Sequence, residues 1–240
     1  MTVVHEASAV APRIMLNADK PGRPEKHNDY YMQDGNVVIQ VEDTLFKLDL
    51  SVLHAKSPVF RIIVPPVYDG RTRYTGFDDK HPFVLREISA IDFERLLWVL
   101  YPLKDSTKQP ATVEDWLSIL KLSTKFQIDD IRPLAASNLH STPIDPIRKI
   151  TIWDEYHLDP KLLISSYVAL CQRTEPLTLS MTMALGLKNF TRLAAARDIY
   201  HYNSGCFRCN RKTGSKERYS IAQAAVISVF LPPASPINYS

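Results

Sequence analysis

Two cysteines near the C-terminus have the clearest capacity for chemistry. Cys206 and Cys209 form a Cys-x-x-Cys pair, a spacing that lets two thiolates face one zinc ion, and His201 lies close enough upstream to be a third ligand. The sequence has no second pair at a recognisable spacing, so Cys171 or His157 could complete the site only if the fold brought them near. We therefore favour two reduced thiols at a helix end and no cofactor, with zinc as the alternative.

Catalytic motifs are missing from the sequence. A nucleophilic enzyme needs a nucleophile beside a base, but no Gly-x-Ser-x-Gly occurs, and the serines near histidines, Ser51 and Ser141, lie in segments with a helical pattern. With seven glycines in the whole chain, there is no glycine-rich loop before a helix to hold phosphate. The sequence therefore predicts a protein that is not an enzyme and has no small-molecule substrate.

A basic cluster follows the cysteine pair and could contact nucleic acid phosphates. Its members are Arg208, Arg211, Lys212, Lys216 and Arg218. Charge runs are usually solvated, and no aromatic row, zinc finger or helix-turn-helix pattern supports sequence reading. Nucleic acid binding through this tail, as in a chromatin-associated transcriptional regulator, is thus the alternative and not the favoured function.

Composition narrows the class of protein. The 240 residues are 45% hydrophobic and 23% charged with a formal net charge of +3, as in an ordinary globular protein. Three cysteines are too few for a disulfide framework and favour a reducing compartment. No apolar run approaches the roughly 18 residues of a membrane span, and the N-terminus lacks a signal peptide pattern. We expect a cytoplasmic or nuclear protein without membrane contact.

Residues 1–29 are polar and contain several prolines, and we predict that they are disordered. The secondary structure that would position the candidate residues begins after this segment. VVIQVED and TLFKLD, from Val37, predict a hairpin, and LSVLHAKSPVF predicts a short helix that ends before Pro58 opens the next one. FVLREI predicts a third strand. The hydroxyl-x-x-acid boxes SAID and TVED, from Ser89 and Thr112, precede amphipathic helices. After residue 143 the pattern is helical with a turn at Gly186, and residues 205–240 are predicted to be poorly ordered.

The order of these elements resembles a BTB/POZ domain, and in particular the fungal branch of that family with its trailing helices. The matching segments are DGNVVI, F-x-L-x-x-SVLHAKSPVF, FVLREI followed by S-x-x-DFERLLWVLYP, and W-x-x-ILKLSTKFQI-x-x-IR. The resemblance implies an α+β fold in which helices cap a small sheet, followed by an all-α extension. We accordingly expect a BTB/POZ domain over residues 30–140 and a helical extension over residues 141–204.

The resemblance also implies a function, because BTB/POZ domains hold proteins together. It predicts a non-catalytic adaptor or scaffold that forms a homodimer through the helix after the hairpin and serves a cullin ubiquitin ligase. The cullin would face the region from Phe93 to Tyr101 and the first trailing helices. The predicted partner-interface residues are Leu50, Val52, Leu53, His54, Phe60, Phe93, Trp98 and Tyr101.

One group of positions departs from the family pattern. Familiar members place an acid in the first strand, and a histidine and a basic residue after the conserved Phe, around a polar pocket at the dimer seam. Aligned on Phe46, the corresponding residues here are Asn36, Asp49 and Leu50. Functions that depend on those charges, such as corepressor capture, are therefore not expected.

Overall fold

The predicted hairpin forms the centre of a small mixed sheet in the computed structural model, which describes residues 24–64, 75–102, 109–204 and 214–231. Strands β2 (Val37–Val41) and β3 (Thr44–Leu48) pair antiparallel, with Ile39 opposite Phe46. Strand β4 (Phe83–Leu85) runs parallel to β2, and β1 (Glu25–Tyr31) runs parallel to β3, giving the order β1-β3-β2-β4. Seven of the ten residues in the two central strands are buried.

The helices follow the predicted order. They are α1 (Leu50–Lys56), α2 (Pro58–Ile63), α3 (Ala90–Leu100), α4 (Val113–Lys125), α5 (Ile131–Ser141), α6 (Pro146–Glu155), α7 (Ile164–Cys171), α8 (Leu179–Ser204) and α9 (Ser215–Phe230), with a 3-10 turn at Pro160–Leu163. The chain thus has an α+β fold with a helical C-terminal region. Within the described ranges, no helix has the length and apolar character needed to cross a bilayer.

The breaks between helices lie at residues whose chemistry requires them. At the start of α4, the Thr112 side chain accepts from the Asp115 amide while the Asp115 carboxylate accepts from the Thr112 amide, so the predicted capping box is confirmed. Gly186 interrupts α8 with φ 72° and ψ 155°, which confirms the predicted turn. This conformation is almost restricted to glycine because a Cβ would strain the backbone.

The start of the sheet differs from the prediction. Residues 25–29, expected to be disordered, lie in β1, where the Glu25 amide donates to the Asp43 carbonyl at 2.8 Å. The His27 ring stacks on Phe46 with centroids 4.9 Å apart, and Tyr30 is buried. As an edge strand with mostly exposed side chains, β1 lacks the alternation that identifies a strand in sequence. Residues 1–23 lie outside the described ranges.

The C-terminal segment also differs from the prediction, since residues 215–230 of the supposedly poorly ordered tail form α9. Ala222, Ala225 and Val226 recur at helical spacing and are buried, and the Phe230 ring stacks on Tyr167 at 3.8 Å. Small residues let α9 approach its neighbours closely, but they give a weak amphipathic signal. The prolines that follow then make the segment resemble a loop in sequence.

The chain divides into two compact units. The unit formed by residues 1–50 and 67–90 contains the sheet, and the unit formed by residues 51–66 and 91–240 contains the helices. Within the helical unit, α9 packs against α7 and α8, and α4 packs against α5. The helical extension and the helices of the predicted BTB/POZ segment therefore belong to one cluster.

Candidate interaction surface

Ser57 sits at the break between α1 and α2 and holds it in place. Its hydroxyl donates to the Phe126 carbonyl at 2.6 Å and accepts from the Phe60 amide at 3.0 Å, and the residue is 1% exposed. The second bond caps α2, whose first residue, Pro58, has no amide hydrogen to satisfy. The break thus serves as a fixed corner attached to the end of α4.

Two further contacts fix this corner. The His54 ring nitrogen Nε2 is 2.7 Å from the Val64 carbonyl, so it bridges α1 and the end of α2. Lys56 pairs with Asp130, the residue that precedes α5, and this ion pair lowers the pKa of the Asp130 carboxyl. His54 is half-buried, and its predicted role at a partner interface stays a prediction.

The apolar side chains of α1 and α2 divide between interior and surface. Leu50, Leu53 and Phe60, predicted as interface residues, are buried within the chain, so they cannot present a surface directly. Val52 is partly exposed, and Ile62 is 78% exposed. These two short helices therefore leave apolar side chains on the surface, and the most exposed of them, Ile62, was not among the predicted interface residues.

Helix α3 shows the same division. Phe93 and Tyr101 are buried, whereas Trp98 is partly exposed and Ile91 is 61% exposed. The indole nitrogen of Trp98 is buried and has no hydrogen-bond partner within the described part of the chain. The surface of α3 is therefore apolar at Ile91 and Trp98 rather than at the predicted Phe93 and Tyr101.

A polar network joins α3 to α4. The Asp92 carboxylate accepts from the Ser118 hydroxyl at 2.6 Å and from Lys121 Nζ at 2.9 Å. The Arg95 guanidinium lies 2.9 Å from the Asp115 carboxylate and donates to Ser118 Oγ at 3.0 Å. Burial alone would raise the pKa of Asp115, but hydrogen bonds from the helix start and the Arg95 charge outweigh it, so the pKa is lowered. The network fixes the orientation of α3, and we assign it a structural role.

The polar positions predicted at a dimer seam lie near the start of α1. The Asn36 side-chain oxygen accepts from the Leu50 amide at 2.8 Å, which satisfies an otherwise unpaired donor at the start of the helix. Asn36 is exposed and Asp49 is half-buried. The role of Asn36 in the chain is thus local, and any role of the pair at a seam stays a prediction.

The candidate metal and nucleic acid residues are only partly described. His201 is exposed near the end of α8, while Cys206 and Cys209 lie outside the described residues, as do Arg208, Arg211 and Lys212. Within the described ranges, no group of three or more His, Cys, Asp and Glu side chains is placed to hold a metal ion. Lys216 and Arg218 are exposed in the first turns of α9.

Comparison with known proteins adds one assignment. The family model described as BTB/POZ domain matches residues 30–142, from β1 to the residue after α5. No curated protein matches the chain.

Proposed function

From the premise that residues 30–142 are a BTB/POZ domain, a protein–protein interaction module, we propose that the protein is a non-catalytic adaptor. It pairs with a second copy through the exposed side of α1 and α2. A separate face, formed by α3 and the first trailing helices, holds a cullin. The client protein that such an adaptor presents would bind elsewhere on the chain.

The observation that carries the pairing is the exposure of Ile62. Because Ser57, Leu53 and Phe60 hold the inner side of the corner, α2 cannot rotate to bury an isoleucine that is 78% exposed. Removing a side chain of this size from water contributes about 1.5–3 kcal/mol. A second copy that offers the same surface across a two-fold axis would bury both Ile62 side chains at once.

The cullin face is supported by a second exposed apolar pair. Ile91 and the accessible part of Trp98 lie on α3, whose orientation the Asp92 and Arg95 contacts fix. The two residues lie two helical turns apart on one face of a rigid helix, and tryptophan is among the residues enriched in interface hot spots.

Light scattering on the purified chain at micromolar concentration tests the pairing. We expect a mass of twice 27.3 kDa for the native chain, and a monomer for Ile62→Asp, since the substitution places a charge at the centre of the contact. Leu179→Asp is the matched control, because Leu179 is also 78% exposed but lies in α8. A native chain that is monomeric, or an Ile62→Asp variant that stays dimeric, would reject the proposed pairing.

Binding of isolated cullin N-terminal domains, measured by biolayer interferometry, tests the second face. Ile91→Asp and Trp98→Ala should each weaken the complex at least about tenfold, while Leu179→Asp should leave it unchanged. If all variants bind like the native chain, the cullin contacts some other surface. If no cullin binds the native chain, the adaptor proposal fails even where the homodimer is found.

A further inference from the structure

A cleft of about 520 Å³ lies within the helical unit, in the part of the chain that follows the BTB/POZ segment. Its walls come from the end of α6 and the nearby His157, from the 3-10 turn and α7, from α8 around Gly186 and Arg192, and from Phe230 at the end of α9. The non-helical backbone at Gly186 changes the direction of α8 at the edge of the cleft. Few residues other than glycine adopt this conformation, so the shape of the cleft depends on Gly186. The volume is that of an ordinary ligand pocket.

The floor of the cleft is aromatic. The Tyr167 and Phe230 rings stack with centroids 3.8 Å apart and 26° between their planes. Tyr167 is 3% exposed, yet its hydroxyl has no hydrogen-bond partner among the residues that the structure describes. Burial and the nearby Asp154 charge raise the pKa of this hydroxyl, with Arg192 opposing them. The Tyr167 hydroxyl therefore remains protonated at neutral pH and can donate a hydrogen bond into the cleft.

The rim of the cleft is mainly cationic. Lys188 and Arg192 lie four residues apart and thus on one face of α8. The Arg192 guanidinium is 5.9 Å from the Phe230 ring centroid, and neither cation has a carboxylate partner within the described ranges. Asp154 is an acid in the lining and accepts a hydrogen bond from Asn189, and the two cations outnumber it.

We infer that this cleft binds a carboxylate joined to an apolar group, with the apolar group on the Tyr167–Phe230 floor. The carboxylate accepts a hydrogen bond from the Tyr167 hydroxyl and forms ion pairs with Arg192 and Lys188. The ligand thus gives each of these three side chains a partner. An acidic residue beside an apolar one in a partner protein carries this chemistry, and so does a free aryl-alkyl acid. The cleft has no residue on α1, α2 or α3, and its α6 and α7 walls belong to the trailing helices. Its ligand is tested independently of pairing and of cullin binding.

Hydrocinnamate is the simplest probe, and hydrocinnamamide is its uncharged match. We expect hydrocinnamate to shift the amide NMR signals of Lys188, Arg192 and Tyr167 in the isotope-labelled full chain. The dissociation constant should be on the order of 1 mM, the range expected for a ligand of this size. The amide should bind at least about tenfold more weakly, because it cannot pair with the guanidinium.

Variants locate the contact. Arg192→Gln should weaken hydrocinnamate binding about tenfold, and Tyr167→Phe, which keeps the ring stack, should weaken it about threefold. Lys216→Gln, an exposed lysine outside the cleft lining, should change nothing. Absence of shifts at these residues, equal binding of the amide, or full binding to Arg192→Gln would overturn the inference.

A second arm separates the two sources of the carboxylate. Binding of an acetylated, amidated peptide with the sequence Gly-Ser-Glu-Phe-Ser-Gly is compared with that of its Gln-for-Glu version and of hydrocinnamate. Tighter binding of the Glu peptide than of hydrocinnamate identifies a protein segment as the ligand, and the reverse order identifies a free acid. Either result agrees with the carboxylate site, provided that the Gln peptide binds more weakly.

Discussion

Replacing Ser57 with alanine tests how firmly the corner between α1 and α2 is held. The substitution removes the hydroxyl that donates to the Phe126 carbonyl at 2.6 Å and accepts from the Phe60 amide at 3.0 Å. Alanine fits in the space of serine, so the change creates almost no cavity. The loss of stability therefore reports the two hydrogen bonds alone.

The magnitude follows from these two contacts. Loss of a serine N-cap costs about 1 kcal/mol. A buried carbonyl left without its donor costs about 1–3 kcal/mol more. We expect the free energy of unfolding of the helical unit to fall by about 2–4 kcal/mol. With a urea dependence of about 3 kcal/mol per M, the midpoint would fall by about 1 M.

Tryptophan fluorescence during urea unfolding is a suitable assay, because Trp98, Trp116 and Trp153 all belong to the same unit as Ser57. Ser137→Ala, at an exposed position of α5, is the control and should be neutral or slightly stabilising, since alanine favours a helix. A loss below about 0.5 kcal/mol for Ser57→Ala, equal to the control, would refute the argument that the hydroxyl fixes the corner.

Three further predictions concern single positions. Gly35→Ala should lower the free energy of unfolding by about 1–3 kcal/mol, measured by circular dichroism, because its Cβ would lie 2.9 Å from the backbone of β3. Gly186→Ala should lower the free energy of unfolding by about 1–3 kcal/mol through backbone strain without any clash. Gly214→Ala, also in open space but with no strained backbone, should cost less than about 1 kcal/mol, the loss expected when alanine replaces a glycine N-cap. Burial and a neighbouring lysine lower the pKa of His140 below its ordinary 6.5, so its contribution to stability is complete above pH 6.5 and is lost as the pH falls. His140→Gln should reduce the loss of stability to urea below pH 6.5, and a pH profile equal to that of the native chain would contradict the assignment.

Local chemistry made much of the fold predictable. The hairpin, the break at Ser57 and Pro58, and the Thr112 capping box follow from rules that involve only neighbouring residues, and the structure confirms all three. Strand β1 and helix α9 do not follow from such rules. The polar side chains of β1 and the small ones of α9 acquire their structure from the elements against which they pack.

The candidate surface was harder to predict than the fold. In a helix of only six residues, the apolar period does not reveal which of Phe60 and Ile62 turns inward, and the structure buries the first and exposes the second. On α3, which has eleven residues, the spacing of Phe93, Leu96, Leu97 and Leu100 does mark the buried face, so the exposure of Ile91 could have been predicted. The orientation of α2 is fixed by the hydrogen bond from Ser57 to Phe126, and that of α3 by the ion pair of Arg95 with Asp115. Phe126 and Asp115 lie at the end and the start of α4, many residues further along the chain.

The boundary at which the BTB/POZ match ends, residue 142, is crossed by side chains that depend on each other. Lys149 Nζ donates to the His140 carbonyl at 2.7 Å, and the Arg132 guanidinium donates to the Tyr156 carbonyl at 2.6 Å. Since Lys149 is only 7% exposed, its ammonium group needs that carbonyl to remain buried at all. The helical extension is therefore part of the same folding cluster as α4 and α5 rather than a domain joined by a linker.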